Sequence, residues 1–558
     1  MITFDRRAIN VRFEDMKEEF GKWRTALKEI REYTAPTHGF FESETPNDGK
    51  KIDHEKIVNG HAMDALDTLA AGMLSGLTSP SRPWFALGCD DPDLALFKPV
   101  KEWLSTVQNR MMTVFSNSNI YQVLHSLYLE IGAFGTGAIM VMPDFDTVIR
   151  GYNFTIGEYY LGIDHTGRVD SWARQYSKTV VQMVREFGLE NCSPAVQSLY
   201  NKNQLQQTRI IRHLIEPNDK RIEWRGDFRG MRWRSVQWEE AGRSDQVLRM
   251  SGFNDFPIMA PRWQVRASSD TYGRSPGWKA LGDVKMLQKM ERDGLLALDK
   301  VVDPPVQVLG TVEHVNLLPG GINHSSQVAP NAGVRAAYQI QPDFVALQAW
   351  VDKVISRIDK AYYADLFMMI SSDDRSNVTA QEIIQRHEEK LQVLGPVIEG
   401  HESELLDPLI DRVFNIMLDA GLIPPPPIEL QGQSLDVQYI SVLAQAQKMV
   451  GTTSIEQYFR FVGGVASANP DVLDVANFDA GARRYGEDLL IPPELIRSEE
   501  EVQRIRKARQ AQIDAEKQAQ ATERMVAGAK TLSETPVGQN SALDAVMAGM
   551  GGSGLPPA

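Results

Sequence analysis

Residues 276–302 read PGWKALGDVKMLQKMERDGLLALDKVV, and residues 344–368 read FVALQAWVDKVISRIDKAYYADLFM. In the first stretch Trp278, Leu281, Val284, Leu287, Leu295, Leu298 and Val302 recur at helical spacing, and Asp303-Pro304-Pro305 stops the run. In the second, Phe344, Leu347, Val351, Val354, Ile358 and Tyr362 alternate three and four apart, the stripe of a helix made to pack on another helix. Leu281, Val284, Leu347, Val351, Val354 and Ile358 are the expected packing positions of the pair. Between the helices, residues 303–343 read as a compact module punctuated by Pro and Gly, with a short strand at Val306-Gln307-Val308-Leu309. After them, Ile370 to Val378 is a polar loop. Thr379 and Glu382 then fit a capping box that opens a helix to about Ala420, with kinks or breaks expected at Pro396 and Pro408. Pro424 to Pro427 closes the unit as a stiff link.

Working outward, Phe13, Met16, Phe20, Trp23, Leu27 and Ile30 predict a helix over about 6–34. A second helix carries Ile57, Ala62, Ala65, Leu69, Met73 and Leu77, with small residues at Ala70-Ala71-Gly72, and ends at the breaker Thr78 to Pro83. Trp84 to Leu87 reads as a buried strand, and 93–130 as helical with Trp103, Val107, Met111, Val114 and Phe115 inward. From about 131 to 265 the pattern turns to strands at 138–142, 159–163, 168–170, 209–214, 232–236 and 258–260, interrupted by a helix at about 178–188. The expected class is α+β, mainly helical, with a small β-rich subdomain at about 131–265. Residues 434–480 read as further helices, 494–527 as an exposed helix rich in Glu, Arg, Gln and Ala, and 528–558 as a disordered tail.

A length of 558 residues allows about three or four domains. The 24% of charged residues is ordinary for a folded protein and excludes wholesale disorder. Lys+Arg is 59 against 73 Asp+Glu, a formal net charge of −14. Proteins that wrap nucleic acid carry the opposite balance, so any DNA contact is expected to be local or weak. With two cysteines, Cys89 and Cys192, a disulfide framework or a Cys-rich zinc module is excluded, although one bridge between them stays open. The N-terminus lacks the apolar core of a signal peptide, and Ile131 to Met142 is too short to span a bilayer. The expectation is a chain made and used inside a cell, with no membrane insertion.

Chemistry-bearing motifs are missing. Gly72-Met73-Leu74-Ser75-Gly76 lacks the lysine of a phosphate loop, and Gly132, Gly135 and Gly137 precede a strand instead of opening a helix. Ser75 is not in a nucleophile elbow. His54 and His61, and His387 and His401, lack metal-protease spacing. Asp90, Asp91 and Asp93, and Asp373-Asp374, read as turns and solvated loops, not cation sites. Trp224, Trp233 and Trp238 lie among Arg221, Arg225, Arg229, Arg232 and Arg234; a β-subdomain core with cation–π neighbours is the preferred reading over a stacking platform for single strands. No catalytic residue, metal or cofactor is expected.

Four stretches, in order, carry a family resemblance: Ala71 to Phe85; Tyr272-Gly273-Arg274-Ser275-Pro276-Gly277; Thr379-Ala380-Gln381-Glu382 with Leu394-Gly395-Pro396-Val397 and Leu406-Asp407-Pro408-Leu409-Ile410; and Ile491-Pro492-Pro493-Glu494 with Arg497-Ser498. On them, over about residues 6–510, the chain resembles the portal proteins, or head-to-tail connectors, of short-tailed bacteriophages. The resemblance implies a ring of twelve subunits at one capsid vertex of the virion, assembled in the host cytoplasm. Residues 1–275 and 380–430 would form the wing, 276–302 and 344–368 the stem, and 303–343 the clip. Residues 369–379 would be a tunnel loop, with Ser371, Ser372, Asp373, Asp374, Arg375, Ser376 and Asn377 facing the channel, and 431–527 a helical crown. The implied partners are double-stranded DNA, the terminase large subunit, major capsid and scaffolding proteins, and tail adaptor or nozzle proteins. The chain would nucleate the procapsid and have no enzymatic activity.

Simple geometry is consistent with such a channel. A helix of about 28 residues is roughly 40 Å long. Twelve helices about 10 Å apart close a circle roughly 38 Å across. Subtracting about 5 Å on each side leaves roughly 28 Å, against about 20 Å for B-form DNA judged from its groove depths. Continuous sliding needs a mildly repulsive wall with few attractive points, which an acidic chain suits. Lys285, Lys289, Lys353, Arg357 and Lys360 are the candidate attractive points, with Arg375 in the loop; bridges to neighbouring subunits are the competing role for the stem lysines. The runner-up is another structural ring protein, such as a tail adaptor or scaffold. A DNA-processing enzyme would need an acidic metal cluster or a phosphate loop.

Overall fold

The computed structural model describes residues 6–41, 56–89, 97–242, 246–309, 342–371, 394–430, 435–439, 458–466, 470–488 and 499–533, with short pieces at 91, 94, 315–318, 321–323, 333–337 and 497. Two compact units divide the chain, Met1–Ser454 and Ile455–Ala558. The first contains α1 (Arg6–Thr34), α2 (His61–Leu77), β1 (Phe85–Cys89), α3 (Lys98–Asn117), α4 (Ile120–Phe134), β2 (Ala138–Asp144), β3 (Val148–Phe154), β4 (Tyr159–Ile163) and β5 (Val169–Thr179). It continues with α5 (Val180–Phe187), α6 (Pro194–Asn201), β6 (Thr208–Pro217), β7 (Trp233–Glu239), β8 (Arg249–Phe253), β9 (Ile258–Met259), α7 (Pro276–Val302), β10 (Val306–Leu309) and β11 (Gly333–Ala336). Then follow α8 (Phe344–Ala361), α9 (Ala364–Ser371), α10 (Asp407–Asp419) and β12 (Leu435–Tyr439). The second unit holds α11 (Phe478–Asp488) and α12 (Glu499–Ser533), where Phe459 stacks on Phe478 with centroids 5.2 Å apart and Arg506 pairs with Asp479.

The predicted apolar face of α1 is buried at Phe13, Met16, Phe20, Leu27 and Ile30, and Trp23 is half-buried. This face lies on the antiparallel five-stranded sheet β4-β5-β6-β7-β8, with the Phe13 ring edge-on to Tyr160 and to Trp238. A smaller sheet, β3-β2-β9, packs near α4, and β10 pairs with β11 as a separate antiparallel ribbon.

Several expectations change. α2 starts at His61, so Ile57 lies ahead of it. The helical stretch 93–130 is two helices, broken at Ser118-Asn119 because the Asn119 amide exchanges two 2.9 Å hydrogen bonds with the backbone of Gly151; the second helix then runs on to Phe134. Strands β3 and β8 and helix α6 lacked a clear period and were not anticipated. Leu435–Tyr439 is a strand, not a helix: it pairs antiparallel with β1, Phe85 opposite Tyr439, a partner some 350 positions away that no local pattern reports. α12 continues to Ser533, past the expected start of the disordered tail. Cys89 and Cys192 are both buried free thiols. The tryptophans divide. Trp238 is fully buried and Trp233 half-buried, as a core reading expects, whereas Trp224 is 81% exposed beside Arg225.

The kink expected at Pro408 takes a definite form. Pro408 lacks the N–H that would bond back to the Glu404 carbonyl, and its ring crowds that turn. The helix widens into a π-helical turn over Glu402–Leu406, where the Asp407 N–H donates to the Glu402 carbonyl instead. The capping box at Thr379 and Glu382 lies outside the described residues.

One buried acid joins three segments of this body. Glu130 on α4 is fully buried and accepts from Thr155 Oγ1 at 2.6 Å and from the Ile156 N–H at 3.1 Å. The Gly39 N–H donates to the same Thr155 oxygen and the Phe40 N–H to the Ile156 carbonyl. Burial pushes the Glu130 carboxyl up to about 7 against its ordinary 4.5, the two hydrogen bonds opposing the rise. Between these values the folded chain holds a proton that the unfolded chain releases. Stability from this group is therefore fully present below pH 4.5 and lost as pH rises through 7, by about 3 kcal/mol in total. Glu130→Gln keeps the shape and cannot ionise. Melting curves from pH 5 to 8 should show the wild-type temperature falling relative to the variant; parallel profiles would disprove this.

Candidate functional site

The Tyr272–Gly277 stretch is a junction of two backbones. The Trp263 N–H donates to the Gly135 carbonyl at 2.9 Å, and the Gly273 N–H to Thr136 Oγ1 at 2.8 Å. Gly135 caps α4 in the left-handed region, φ +83°, and a Cβ on Gly273 would lie 2.3 Å from the Gly135 oxygen. Ser275 then caps α7. Its Oγ accepts from the Trp278 N–H at 2.8 Å and donates to the Ala133 carbonyl at 2.6 Å, with Pro276 in the first turn where its missing N–H costs nothing. The glycines and the serine thus aim α7 out of the body at a fixed angle.

α7 and α8 pack antiparallel along their basal halves. Val284, Leu287, Val351, Val354 and Ile358 are buried and Leu281 is half-buried, and the contact continues into the distal part, where Leu347 is half-buried and rests over Gly294. Polar clamps hold the basal half to the body. The buried Gln288 amide accepts from the Val58 and Asn59 N–H groups at 2.7 and 2.9 Å and donates to the Asn59 carbonyl at 2.7 Å. His61 Nε2 meets Asp359 Oδ1 at 2.7 Å, and the Arg274 guanidinium faces the rings of Trp23 and Trp278.

The distal half differs. Leu295, Leu296, Leu298, Val301 and Val302 are exposed, as are Phe344, Val345 and Trp350 on α8. At about 100° per residue, those five α7 positions point to several sides of the helix. A helix that is apolar on several sides is built to be covered on several sides.

The candidate cations fall into two groups. Lys285 pairs with Glu29 and sits over the Tyr33 ring, Arg357 pairs with Asp283 at 3.0 Å across the two helices, and Lys353 lies over the Trp350 ring at 5.1 Å. Lys289 and Lys360 are exposed with no ion pair among the described residues. Acidic and basic side chains nearly balance along α7 and α8, so the excess acid of the chain lies elsewhere. Ser371 ends α9; Ser372, Asp373, Asp374, Arg375, Ser376 and Asn377 lie outside the described residues.

Two further contacts escaped the sequence. Phe367 on α9 sits directly over Gly72, where a Cβ would lie 2.2 Å from its ring, so the small residues of α2 form a socket for the segment that follows α8. Arg262 holds Glu404 in the π-helical turn: its N–H donates to Glu404 Oε2 at 2.8 Å, and its guanidinium also reaches the carbonyls of Gly167 and Asp270. Residues 142 positions apart leave no local signal. Beside them His401 is buried, its Nδ1 at 2.7 Å from the Val397 carbonyl and burial pushing it down toward the neutral form. Among the described residues no three His, Cys, Asp or Glu side chains are grouped to hold a metal ion, and no helix is long and apolar enough to cross a membrane.

The family model described as bacteriophage head to tail connecting protein matches residues 6–496. The chain belongs to the phage head-to-tail connector family. It is 41% identical to a probable portal protein of Bordetella phage BPP-1 over 92% of this chain and 93% of that one. It is also 41% identical to the portal protein of Salmonella phage epsilon15 over 91% of both chains. The portal protein of Escherichia phage T7 is 23% identical over 75% of each. The expected family is thereby established, and the motif residues acquire physical roles in this connector: Gly72 as socket, Gly273 and Ser275 as junction and cap, Pro408 as the origin of the π-helical turn.

Proposed function

We propose that copies of this chain close into a twelve-membered ring at one vertex of the virion, through which double-stranded DNA is packaged and later ejected. In this reading α7 and α8 are the stem, the distal apolar half of each pair packing between two neighbours. Residues 303–343 form the clip that docks the terminase large subunit and afterwards tail adaptor or nozzle proteins. Residues 369–379, Ser371 to Asn377 included, are the loop that meets DNA, and 431–527 form the crown. The ring nucleates procapsid assembly with major capsid and scaffolding proteins in the host cytoplasm, without enzymatic activity. Lys289 and Lys360 are the better candidates for touching DNA, because Lys285 and Arg357 spend their charge on Glu29 and Asp283.

The observation that carries the reading is the contrast between the clamped, buried base of the helix pair and its uncovered apolar distal half. A soluble monomer rarely exposes such a patch. Electron-microscope class averages of the purified full-length chain test it: twelvefold rings with an axial opening near the roughly 28 Å expected from helix spacing would support it. Monomers under assembly conditions, or rings whose opening is narrower than a duplex, would refute it.

A further inference from the structure

The face of the five-stranded sheet opposite α1 is largely buried, at Trp172, Ile211 and His213 among others, and cations gather at its margin on an acidic protein. β5 places Arg174, Tyr176 and Lys178 on that face, and a cross-strand row runs from Arg174 through His213 and Gln237 to Arg249 on β8. Three of these cations converge on two rings. The Arg174 guanidinium lies 3.9 Å from the Tyr176 centroid, Lys178 Nζ lies 5.7 Å from Tyr176 and 5.8 Å from Phe187, and the Arg249 guanidinium lies 5.9 Å from Phe187. Glu186 engages Lys178, and Glu158 lies within electrostatic reach of Arg174. Arg249 has no acidic partner among the described residues. Arg174 Nε, and Trp172 Nε1 two residues before it on the same face, are buried without a hydrogen-bond partner. His213 stays neutral, pushed down to about 3 by burial and the two guanidiniums, and its ring is fixed by Ser235 at 2.8 Å.

We propose that Arg174, Lys178 and Arg249 form a binding site for a small oxyanion of the phosphate class. Two guanidiniums offer forked donors that suit a tetrahedral oxyanion, and the Lys178 ammonium, which an arriving anion would share with Glu186, is the minor contributor. The aromatic rings hold the donors in place before the ligand arrives, which lowers the ordering cost of binding. Glu158 and Glu186 interrupt the basic patch, whereas a nucleic-acid backbone would call for a continuous basic stripe.

Thermal unfolding of the full-length chain, in sodium phosphate or sodium chloride of matched ionic strength at pH 7.5, tests the site. The wild-type melting temperature should be higher in phosphate by about 2 °C near saturation. The exposed Arg249→Gln variant, alone or with Lys178→Gln, should lose the phosphate increment, each variant's own melting temperature in chloride serving as its reference. Identical wild-type curves in the two salts would overturn the site, as would an increment that survives the double variant. Stabilisation by a short DNA duplex at matched phosphate-group concentration, with none from inorganic phosphate, would overturn it in favour of a polymer backbone.

Discussion

If the proposed ring forms, replacing Leu295 and Leu298 together by glutamate is expected to leave a folded chain that does not assemble into it. Both side chains are about half exposed in the isolated subunit, so the substitution removes little from its own core. In a ring each would be covered by a neighbour. Losing that burial costs about 2 kcal/mol per leucine, and an unpaired carboxylate in an apolar contact adds more. A total of at least about 4 kcal/mol per interface weakens each association step roughly a thousandfold. Size-exclusion chromatography with light scattering measures this directly, and unchanged circular dichroism and melting of the monomer verify the fold. Rings of normal yield from the double variant would remove the distal helix pair from the subunit interface.

Gly273→Ala is expected to destabilise the subunit itself. Its Cβ would lie 2.3 Å from the Gly135 carbonyl oxygen, and Gly135 is held by the Trp263 N–H on the other side. Backbone has no rotamer by which to retreat. Relief requires separating the two strands of chain by most of an ångström, which sacrifices the Gly273 to Thr136 hydrogen bond and tilts the start of α7. A loss of about 3 kcal/mol or more is the scale for such backbone overpacking. Gly21→Ala, in the middle of α1 with nothing within 4 Å of its Cβ, serves as the control and should stabilise by about 0.5–1 kcal/mol. Urea midpoints of the two variants should move in opposite directions. Equal midpoints would mean that the junction yields more easily than its geometry implies.

Legibility in the sequence followed the range of the interactions. α7 ends as predicted because Pro304 and Pro305 act on their immediate neighbours, and α1 buries the predicted face because a helical period is local. β3 and β8 carry no clear sequence signal because their residues alternate weakly and owe their strand form to neighbours in the sheet. Lys285 shows the same limit at the candidate site. From sequence it is one more stem lysine; in the fold its charge is spent on Glu29, 256 positions away.

The amino-acid order by itself determined the family, the two long helices with their packing stripe, the caps and the breakers, since each depends on residue types within a few positions or on motifs kept in order. Tertiary structure alone decided that Gly273 must lie against Gly135, that Phe367 fills the space above Gly72, that Arg262 reaches Glu404 and that β12 completes β1. It also decided which apolar side chains of the helix pair are exposed, Leu295 and Leu298 among them. Those outcomes depend on distances between segments far apart in the chain, fixed only when close packing leaves each side chain a single place to go.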